Sequence, residues 1–323
     1  MNKASSFPSA HVFPGGALSS THDGAIPPPT SPTHHEDGPA YRLAAVRETF
    51  EECGILLATS KNTGQLFTDI SDTERDEGRR AVHSGKLRFP ELLEKWGAVP
   101  DTQRLIPFTR WITPPSMPKR FSTQMYLYFL PPSSASPSSS PGPDELVIPA
   151  PTHDGGIEHT AARFLPPATW LHLARTNQVL LFPPQFFLLH LLSRYLCATT
   201  TTTTTPPSPT LERTALLSFL RAPRSYAGTA EPTWADACIS PITLGKGAYG
   251  DASQDSVGGV VDRHTAVLDL SSAGAEVEAL GAGRKGVREW VVTAKFRREG
   301  PRDVAVRRRG DVLRGEEVGR GKL

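Results

Sequence analysis

The sequence is poor in cysteine and contains no long apolar run. Its 323 residues include 3 cysteines, Cys53, Cys197 and Cys238, which are far apart and form no C-x-x-C pair. This pattern argues against a disulfide framework and against a zinc site, so we interpret all three as packing residues. No run of about 18 apolar residues is present, and the first residues lack the basic-then-apolar pattern of a secretory signal. We therefore expect a soluble, intracellular chain without a membrane partner.

The charge is nearly balanced over the whole chain but concentrated at one end. The formal net charge is +2, whereas residues 284–323 carry 13 Lys or Arg against 6 Asp or Glu, a net charge of +7. Such a tail is either a solvated basic edge or a surface that attracts phosphate-bearing partners. Aromatic residues are not interleaved with these charges in the way that stacking on single-stranded nucleic acid requires. A nucleic-acid partner is therefore not expected.

Three stretches rich in Pro, Ser or Thr interrupt the regular pattern. They cover residues 19–39, 131–143 and 199–209, and the last begins with seven consecutive threonines. Such segments bury too little apolar surface to offset the entropy lost on ordering, so we expect loops or disordered insertions. We predict a first domain over residues 1–197 with insertions at 19–39 and 131–143, a linker over 198–210, and a C-terminal extension over 211–323 that ends in the basic tail.

Between these stretches, the periodicity of apolar residues predicts alternating helices and strands. A mixed α/β or α+β fold is expected from this alternation. Helices are predicted at Tyr41–Cys53, Phe89–Trp96, Pro166–Ala174 and Pro184–Leu196. Strands are predicted at Leu105–Ile112, Phe121–Leu130, Thr265–Leu270, Glu289–Phe296 and Asp303–Val306.

The first predicted helix carries three glutamates on one face. With a turn of about 100° per residue, Glu51 lies about 60° to one side of Glu48 and Glu52 about 40° to the other. The opposite face of the helix is apolar and consists of Leu43, Val46, Phe50 and Cys53. One face is therefore expected to pack, and the other to face solvent or a site.

Clustered carboxylates repel one another, so a positive charge should compensate them. Arg47, one turn before Glu51, is one candidate, and a divalent cation with oxygen ligands is another. An ordinary solvated acidic face is the alternative. The upstream segment Val12-Phe13-Pro14-Gly15-Gly16 favours a site, because a double glycine after a strand end permits close approach of the backbone.

The segment from Arg47 to Ile55, RETFEECGI, resembles the second half of the Nudix box, R-E-U-x-E-E-x-G-U, with Thr49 at an aliphatic position as the one departure. The resemblance implies a Nudix hydrolase, with an α/β/α sandwich around a mixed β-sheet. It also implies Mg²⁺ or Mn²⁺ as the cofactor. The implied metal ligands are Glu48, Glu51, Glu52 and the carbonyl of Gly16, and the implied brace is Arg47.

The first half of the box departs from the pattern. The usual spacing places a glutamate where this chain has Pro39, and Glu36 is the nearest acid. An insertion that splits the box in this way resembles the Nudix branch of the peroxisomal coenzyme A diphosphatases of animals. That branch implies hydrolysis of coenzyme A or acyl-coenzyme A to 3′,5′-adenosine bisphosphate and 4′-phosphopantetheine or its acylated form.

Several points stay open at this stage. The general base is either Glu52 or Glu158, which follows the Gly155-Gly156 turn. ADP-ribose, dinucleoside polyphosphates and oxidised nucleotides are alternative substrates, and the sequence gives no oligomeric state. The last residues, Gly321-Lys322-Leu323, resemble a peroxisomal address, with the cytoplasm as the alternative.

Only 14 residues precede Gly15, which leaves open whether one or two strands of the sheet are missing. A second hypothesis is therefore a truncated Nudix-like protein that binds a phosphate-rich ligand without turnover.

Overall fold

The computed structural model describes residues 10–130, 163–196, 208–244, 264–281 and 283–313. Helices and strands alternate along the described chain, which confirms the predicted mixed α/β class. The helices are α1 (Pro39–Cys53), α2 (Asp72–His83), α3 (Phe89–Lys95), α4 (Pro167–Arg175), α5 (Pro183–Leu192), α6 (Pro209–Arg221), α7 (Ala275–Ala279) and α8 (Arg309–Val312). The strands are β1 (Ala10–His11), β2 (Ala58–Ser60), β3 (Ala98–Pro100), β4 (Ile106–Ile112), β5 (Ser122–Leu127), β6 (Leu180–Leu181), β7 (Arg224–Tyr226), β8 (Thr229–Glu231), β9 (Cys238–Ile239), β10 (Ile242–Thr243), β11 (Ala266–Asp269), β12 (Trp290–Arg297) and β13 (Gly300–Arg308).

The strands form small sheets with both parallel and antiparallel pairs. Strands β10, β11, β12 and β13 form an antiparallel four-stranded sheet, and β5, β4 and β9 form a three-stranded sheet in which β4 and β9 run parallel. The remaining sheets are pairs: β1 with β6 in parallel, and β2 with β3 and β7 with β8 antiparallel. The predicted helices and strands are thus present, with their ends shifted by a few residues.

The chain divides into two compact units. The N-terminal unit comprises residues 14–107 and 126–164, and the C-terminal unit comprises residues 1–13, 108–125 and 165–323. The Gly15-Gly16 turn and the whole of α1 belong to the N-terminal unit. This unit therefore holds every described residue of the predicted site.

Helix α1 begins and ends where its sequence changes character. Pro39 occupies the first turn, where its missing N–H costs no helical hydrogen bond. Gly54 ends the helix in the left-handed conformation, with φ 71° and ψ 7°, and its N–H donates to the carbonyl of Phe50. A left-handed residue at this place favours glycine, which fixes the last turn directly after Glu51 and Glu52.

The apolar face of α1 packs into the core of the N-terminal unit. Val46 and Phe50 are fully buried, and the Phe50 ring lies 6.0 Å from that of Phe89 and 5.8 Å from that of Trp96. Burying a side chain of this size stabilises the fold by roughly 1.5–3 kcal/mol. The apolar face predicted from the helical wheel is therefore the packing face.

Helix α2 was not predicted from the sequence. Its start is defined by a capping box, in which Ser71 accepts from the N–H of Glu74 while the Glu74 carboxylate accepts from the N–H of Ser71. The face of α2 that is buried consists of Arg75, Gly78, Arg79 and Val82. A buried face with two arginines and a glycine carries no apolar periodicity, which is why the pattern missed it.

In the C-terminal unit, the part of the predicted basic tail that the structure describes, up to residue 313, contains strands β12 and β13 and helix α8. Strands β12 and β13 are antiparallel neighbours. Trp290 pairs with Arg308 at one end and Arg297 pairs with Gly300 at the other, with a bulge between Thr293 and Lys295. Val291 and Val292 are fully buried on this sheet.

The first insertion, residues 19–39, is a loop with defined contacts rather than a disordered segment. It contains a 3₁₀ helix at Pro32–His35, and Asp23 and His35 are buried. The insertion at 131–143 lies outside the described residues. The domain boundaries at 197 and 211 stay a prediction, since residues 197–207 also lie outside them. Across the described ranges, no helix combines the length and the apolar character needed to cross a bilayer.

Candidate active site

The Gly15-Gly16 turn lies against the acid face of α1. The N–H of Gly15 donates to Glu52 Oε2 at 3.1 Å. A Cβ added to Gly16 would lie 2.6 Å from the carboxylate carbon of Glu48, so a side chain at this position would displace the Glu48 carboxylate. The structure therefore brings the Gly15-Gly16 turn together with Glu48 and Glu52.

Arg47 ties the acid face to the loop that follows the turn. Its Nη1 donates to Glu48 Oε1 at 2.8 Å and to Glu51 Oε1 at 2.9 Å. Its Nη2 donates to the carbonyl of Ala17 at 3.0 Å. The side chain of Arg47 is only 6% exposed, so these contacts are made away from bulk water. The guanidinium partly neutralises two carboxylates and fixes the turn at the same time.

A third acid, Asp23, completes the contacts of Arg47. Asp23 Oδ1 and Oδ2 accept from Arg47 Nε and Nη2, each at 2.9 Å, and the Asp23 side chain is fully buried. Such a two-pronged pair is among the stronger hydrogen-bonded contacts in proteins. Asp23 was not predicted from the sequence. The usual spacing of the box places its upstream glutamate at Pro39, and Glu36 is the acid nearest to that position. The signal that could have identified Asp23 is that it is the first acid after the Gly-Gly turn.

Burial and charge together set the electrostatics of this face. Desolvation alone would lower the pKa of Arg47, but hydrogen bonds to Asp23 and Glu51 and the charge of Glu48 raise it above its ordinary value. Burial raises the pKa of Glu48, and the nearby Arg47 only partly offsets this. Holding Glu48 ionised therefore costs free energy that a further cation would recover.

Helix α2 contacts the same acids from another side. Arg79 Nη2 donates to the carbonyl of Glu51 at 2.8 Å and to that of Glu52 at 3.1 Å, and Arg79 Nε donates to the carbonyl of Glu51 at 3.1 Å. One turn further along α2, His83 Nδ1 lies 3.5 Å from Glu51 Oε2. Neither residue was singled out from the sequence, since α2 itself was not predicted.

These residues fit a divalent cation in donor chemistry. Carboxylate oxygens are the ligands that Mg²⁺ and Mn²⁺ prefer, and the Glu48 carboxylate lies against Gly16. The coordination geometry itself is not preformed: within the described residues, no three His, Cys, Asp or Glu side chains are arranged to hold a metal ion. The ligand roles of Glu48, Glu51, Glu52 and Gly16 stay a prediction.

Glu158 and Cys53 are two further residues that the sequence analysis considered. Glu158, the alternative general base, lies outside the described residues, so its role stays a prediction. Cys53 lies in the last turn of α1, where burial and the charge of Glu52 raise the pKa of its thiol to about 11. A thiol that stays protonated is a poor nucleophile, which agrees with its interpretation as a packing residue.

Comparison with known proteins gives a family match that includes α1 and α2 but begins after the Gly15-Gly16 turn and Asp23. Residues 33–192 match the family model of the NUDT19 Nudix domain. The acyl-coenzyme A diphosphatase NUDT19 of Gallus gallus is 27% identical over 228 residues, which is 56% of this chain and 56% of that protein. The same-named protein of Xenopus laevis is 25% identical over 159 residues, which is 46% of this chain and 38% of that protein.

A third relative, the putative nudix hydrolase 7 of Caenorhabditis elegans, is 33% identical over 125 residues, which is 37% of this chain and 34% of that protein. The chain thus spans only about a third to a little over half of the length of these relatives. Among solved structures, a NUDIX hydrolase from Alicyclobacillus acidocaldarius is similar with a TM-score of 0.42 and 22% identity, over 57% of this chain and 75% of that one. The segment from Arg47 to Ile55 lies within the residues that match the family model, and the chain belongs to the Nudix family.

Proposed function

We propose that this chain is a metal-dependent Nudix diphosphatase that hydrolyses coenzyme A or acyl-coenzyme A. The observation that carries the proposal is the placement of Glu48 and Glu52 against the Gly15-Gly16 turn, with Arg47 hydrogen-bonded to both Glu48 and Glu51. Two relatives named acyl-coenzyme A diphosphatase support this choice of substrate class. The products would be 3′,5′-adenosine bisphosphate and 4′-phosphopantetheine, acylated where the substrate is.

In this proposal, Glu48, Glu51, Glu52 and the carbonyl of Gly16 hold Mg²⁺ or Mn²⁺. When bound, the cation supplies charge neutralisation on the diphosphate oxygens. Arg47 keeps two of the carboxylates oriented and fixes the loop that carries Asp23. Water adds to one phosphorus, the bond from that phosphorus to the bridging oxygen breaks, and the proton of the water passes to a carboxylate. Glu52 and Glu158 are the two candidates for this general base.

A panel of diphosphates with the products identified by mass tests the substrate class. Coenzyme A, an acyl-coenzyme A, ADP-ribose, a dinucleoside polyphosphate and an oxidised nucleotide are each incubated with the purified chain and Mg²⁺ or Mn²⁺. We expect the coenzyme A compounds to be hydrolysed fastest. Faster hydrolysis of ADP-ribose or another nucleotide would replace the substrate while keeping the chemistry. Stabilisation by these ligands without any product would favour a Nudix-like binding protein.

Glutamine variants test the site. Glu51→Gln and Glu52→Gln keep the shape of the side chain but remove its charge, and each is expected to lower turnover by about 100-fold or more if the residue binds the ion or accepts the proton. Glu77→Gln makes the same change at an exposed position of α2 and should leave turnover unaltered. Unchanged turnover in both site variants would remove the site assignment.

The peroxisomal localisation predicted from Gly321-Lys322-Leu323 stays a proposal, since these residues lie outside the described part. A fluorescent protein fused after Leu323 hides that sequence and should leave the fusion in the cytoplasm. If hiding these residues does not change the distribution of the fusion, the tripeptide is not its address.

A further inference from the structure

The last turn of α1 carries two of the three glutamates, and its carbonyls have few partners within the helix. A helix leaves its last four carbonyls without an intrahelical donor. Here the N–H of Gly54 donates to the carbonyl of Phe50. The next two carbonyls along the chain belong to Glu51 and Glu52. The same end of the helix is also the negative end of its dipole. Carbonyl oxygens, dipole and carboxylates thus concentrate negative charge at one place.

Arg79 supplies the missing donors. Its guanidinium makes three hydrogen bonds to the carbonyls of Glu51 and Glu52, at 2.8 to 3.1 Å. The Arg79 side chain is 6% exposed, and its Nη1 also lies 3.6 Å from Asp76 Oδ1. A planar fork with several donors can span two neighbouring carbonyls, which the single ammonium of lysine cannot do equally well. The contact therefore holds the last turn of α1 in place and adds a positive charge close to Glu51 and Glu52.

His83 extends this contact to a side chain. It lies four residues after Arg79, on the same face of α2, and its Nδ1 is 3.5 Å from Glu51 Oε2. Helix α2 thus meets Glu51 twice, at its backbone through Arg79 and at its carboxylate through His83. Helix α2 therefore contacts the last turn of α1 through a buried residue, Arg79, and through an exposed one, His83.

We propose that Arg79 is a positioning residue of the site, which acts by holding the turn that carries Glu51 and Glu52. This inference rests on the proposed function, because it assumes that these glutamates bind a divalent cation. Arg79 donates to the backbone carbonyls of the two residues. Substitution of Arg79 should therefore move the carboxylates of Glu51 and Glu52 relative to Glu48 and Gly16, although all three glutamates remain in the chain.

The test measures Mn²⁺ affinity by electron paramagnetic resonance and, separately, kcat and KM for coenzyme A at saturating Mn²⁺. Groups that orient metal ligands typically contribute about 10- to 100-fold to affinity or activity. Arg79→Gln should therefore weaken Mn²⁺ binding by about 10-fold or more and lower kcat with little change in KM. Arg79→Lys should lie between this variant and the wild type, since it restores the charge but not the fork.

Two controls separate positioning from stability and from charge. Arg80→Gln makes the same charge change at the next, exposed residue of α2, and should keep Mn²⁺ affinity. Val82→Ala destabilises the core from the same helix, since Val82 is 2% exposed, and should lower the melting temperature while Mn²⁺ affinity is retained. If Val82→Ala weakens Mn²⁺ binding as much as Arg79→Gln at an equal loss of melting temperature, the role of Arg79 is structural only and the inference is overturned.

Failure of this inference is distinguishable from failure of the proposed function. If the wild type binds Mn²⁺ but hydrolyses no diphosphate, the proposed function fails, and the affinity of Arg79→Gln still decides the role of Arg79. If the wild type hydrolyses coenzyme A and Arg79→Gln binds Mn²⁺ as tightly as the wild type, only the inference fails. If the wild type does not bind Mn²⁺ at all, both fail.

Discussion

The two faces of α1 differ in the interactions that hold their side chains. On one face, Val46 and Phe50 are fully buried and contact other apolar side chains of the N-terminal unit. On the other, Glu48 and Glu51 are nearly as inaccessible, with side chains 13% and 10% exposed, but they are held by charges and hydrogen bonds. One face stabilises the fold through non-directional contacts. The other keeps like charges together at a cost.

The difference indicates which face the fold needs and which face the function needs. Apolar contacts tolerate substitution by residues of similar volume. The acid face instead depends on individual partners, among them Arg47, Asp23 and the Gly15 N–H, each with a defined geometry. A cluster that costs stability and is nevertheless held in place is typical of a binding site.

The largest effect is expected on the packing face. Phe50→Ala removes a fully buried ring that contacts Phe89 and Trp96, and should lower the free energy of unfolding by about 3–5 kcal/mol. Denaturant unfolding of the metal-free chain measures this value, with Phe50→Leu as the control that keeps most of the apolar volume. A loss below about 1 kcal/mol would mean that the ring is not packed as the structure places it.

Next in size is the loss of the buried partner of Arg47. Asp23→Asn leaves a buried guanidinium without its two-pronged acceptor, and should cost about 3 kcal/mol, as breaking a buried ion pair does. Asp72→Asn is the matched control, because Asp72 pairs with Arg75 while 87% exposed and should cost less than about 1 kcal/mol. Equal losses in the two variants would contradict the role given to Asp23.

The smallest effect has the opposite sign and falls on the acid face. Glu48→Gln removes the cost of burying a charge and the repulsion from Glu51 and Asp23, so we expect the metal-free chain to gain a few tenths of a kcal/mol at pH 7. Burial raises the pKa of Glu48 in the folded chain. Protonated Glu48 therefore stabilises the folded chain relative to the unfolded one. This contribution is fully present below the unfolded pKa of about 4.3 and is lost as the pH rises through the pKa of the folded chain.

The gain from Glu48→Gln should accordingly shrink as the pH falls toward about 4. Unfolding curves of both proteins at pH 7 and pH 4, in the presence of a chelator, check the sign. A variant that is less stable than the wild type at pH 7 would show that the contact between Arg47 and Glu48 outweighs the repulsion.

The sequence predicts α1 and its two faces because both are local. The spacing of Leu43, Val46 and Phe50, together with the glycine at position 54, suffices to place the helix, its packing face and its end. The placement of Gly16 beside Glu48 followed from the resemblance to a known motif and not from spacing.

The partners of the acid face are harder to predict, because they are remote in sequence. Asp23 precedes Arg47 by 24 residues across a proline-rich loop, and no spacing rule applies to an insertion. Arg79 lies on a helix whose buried face is largely polar, so the apolar periodicity that reveals other helices is missing. Only the Ser71–Glu74 capping box marked that helix in the sequence.

Crystals of the chain soaked with Mn²⁺ would show directly whether the three glutamates bind a divalent cation. We expect an anomalous-scattering peak within about 2.5 Å of carboxylate oxygens of Glu48, Glu51 or Glu52 and near the carbonyl of Gly16. A peak elsewhere, or none at this turn under conditions in which the chain hydrolyses coenzyme A, would contradict it.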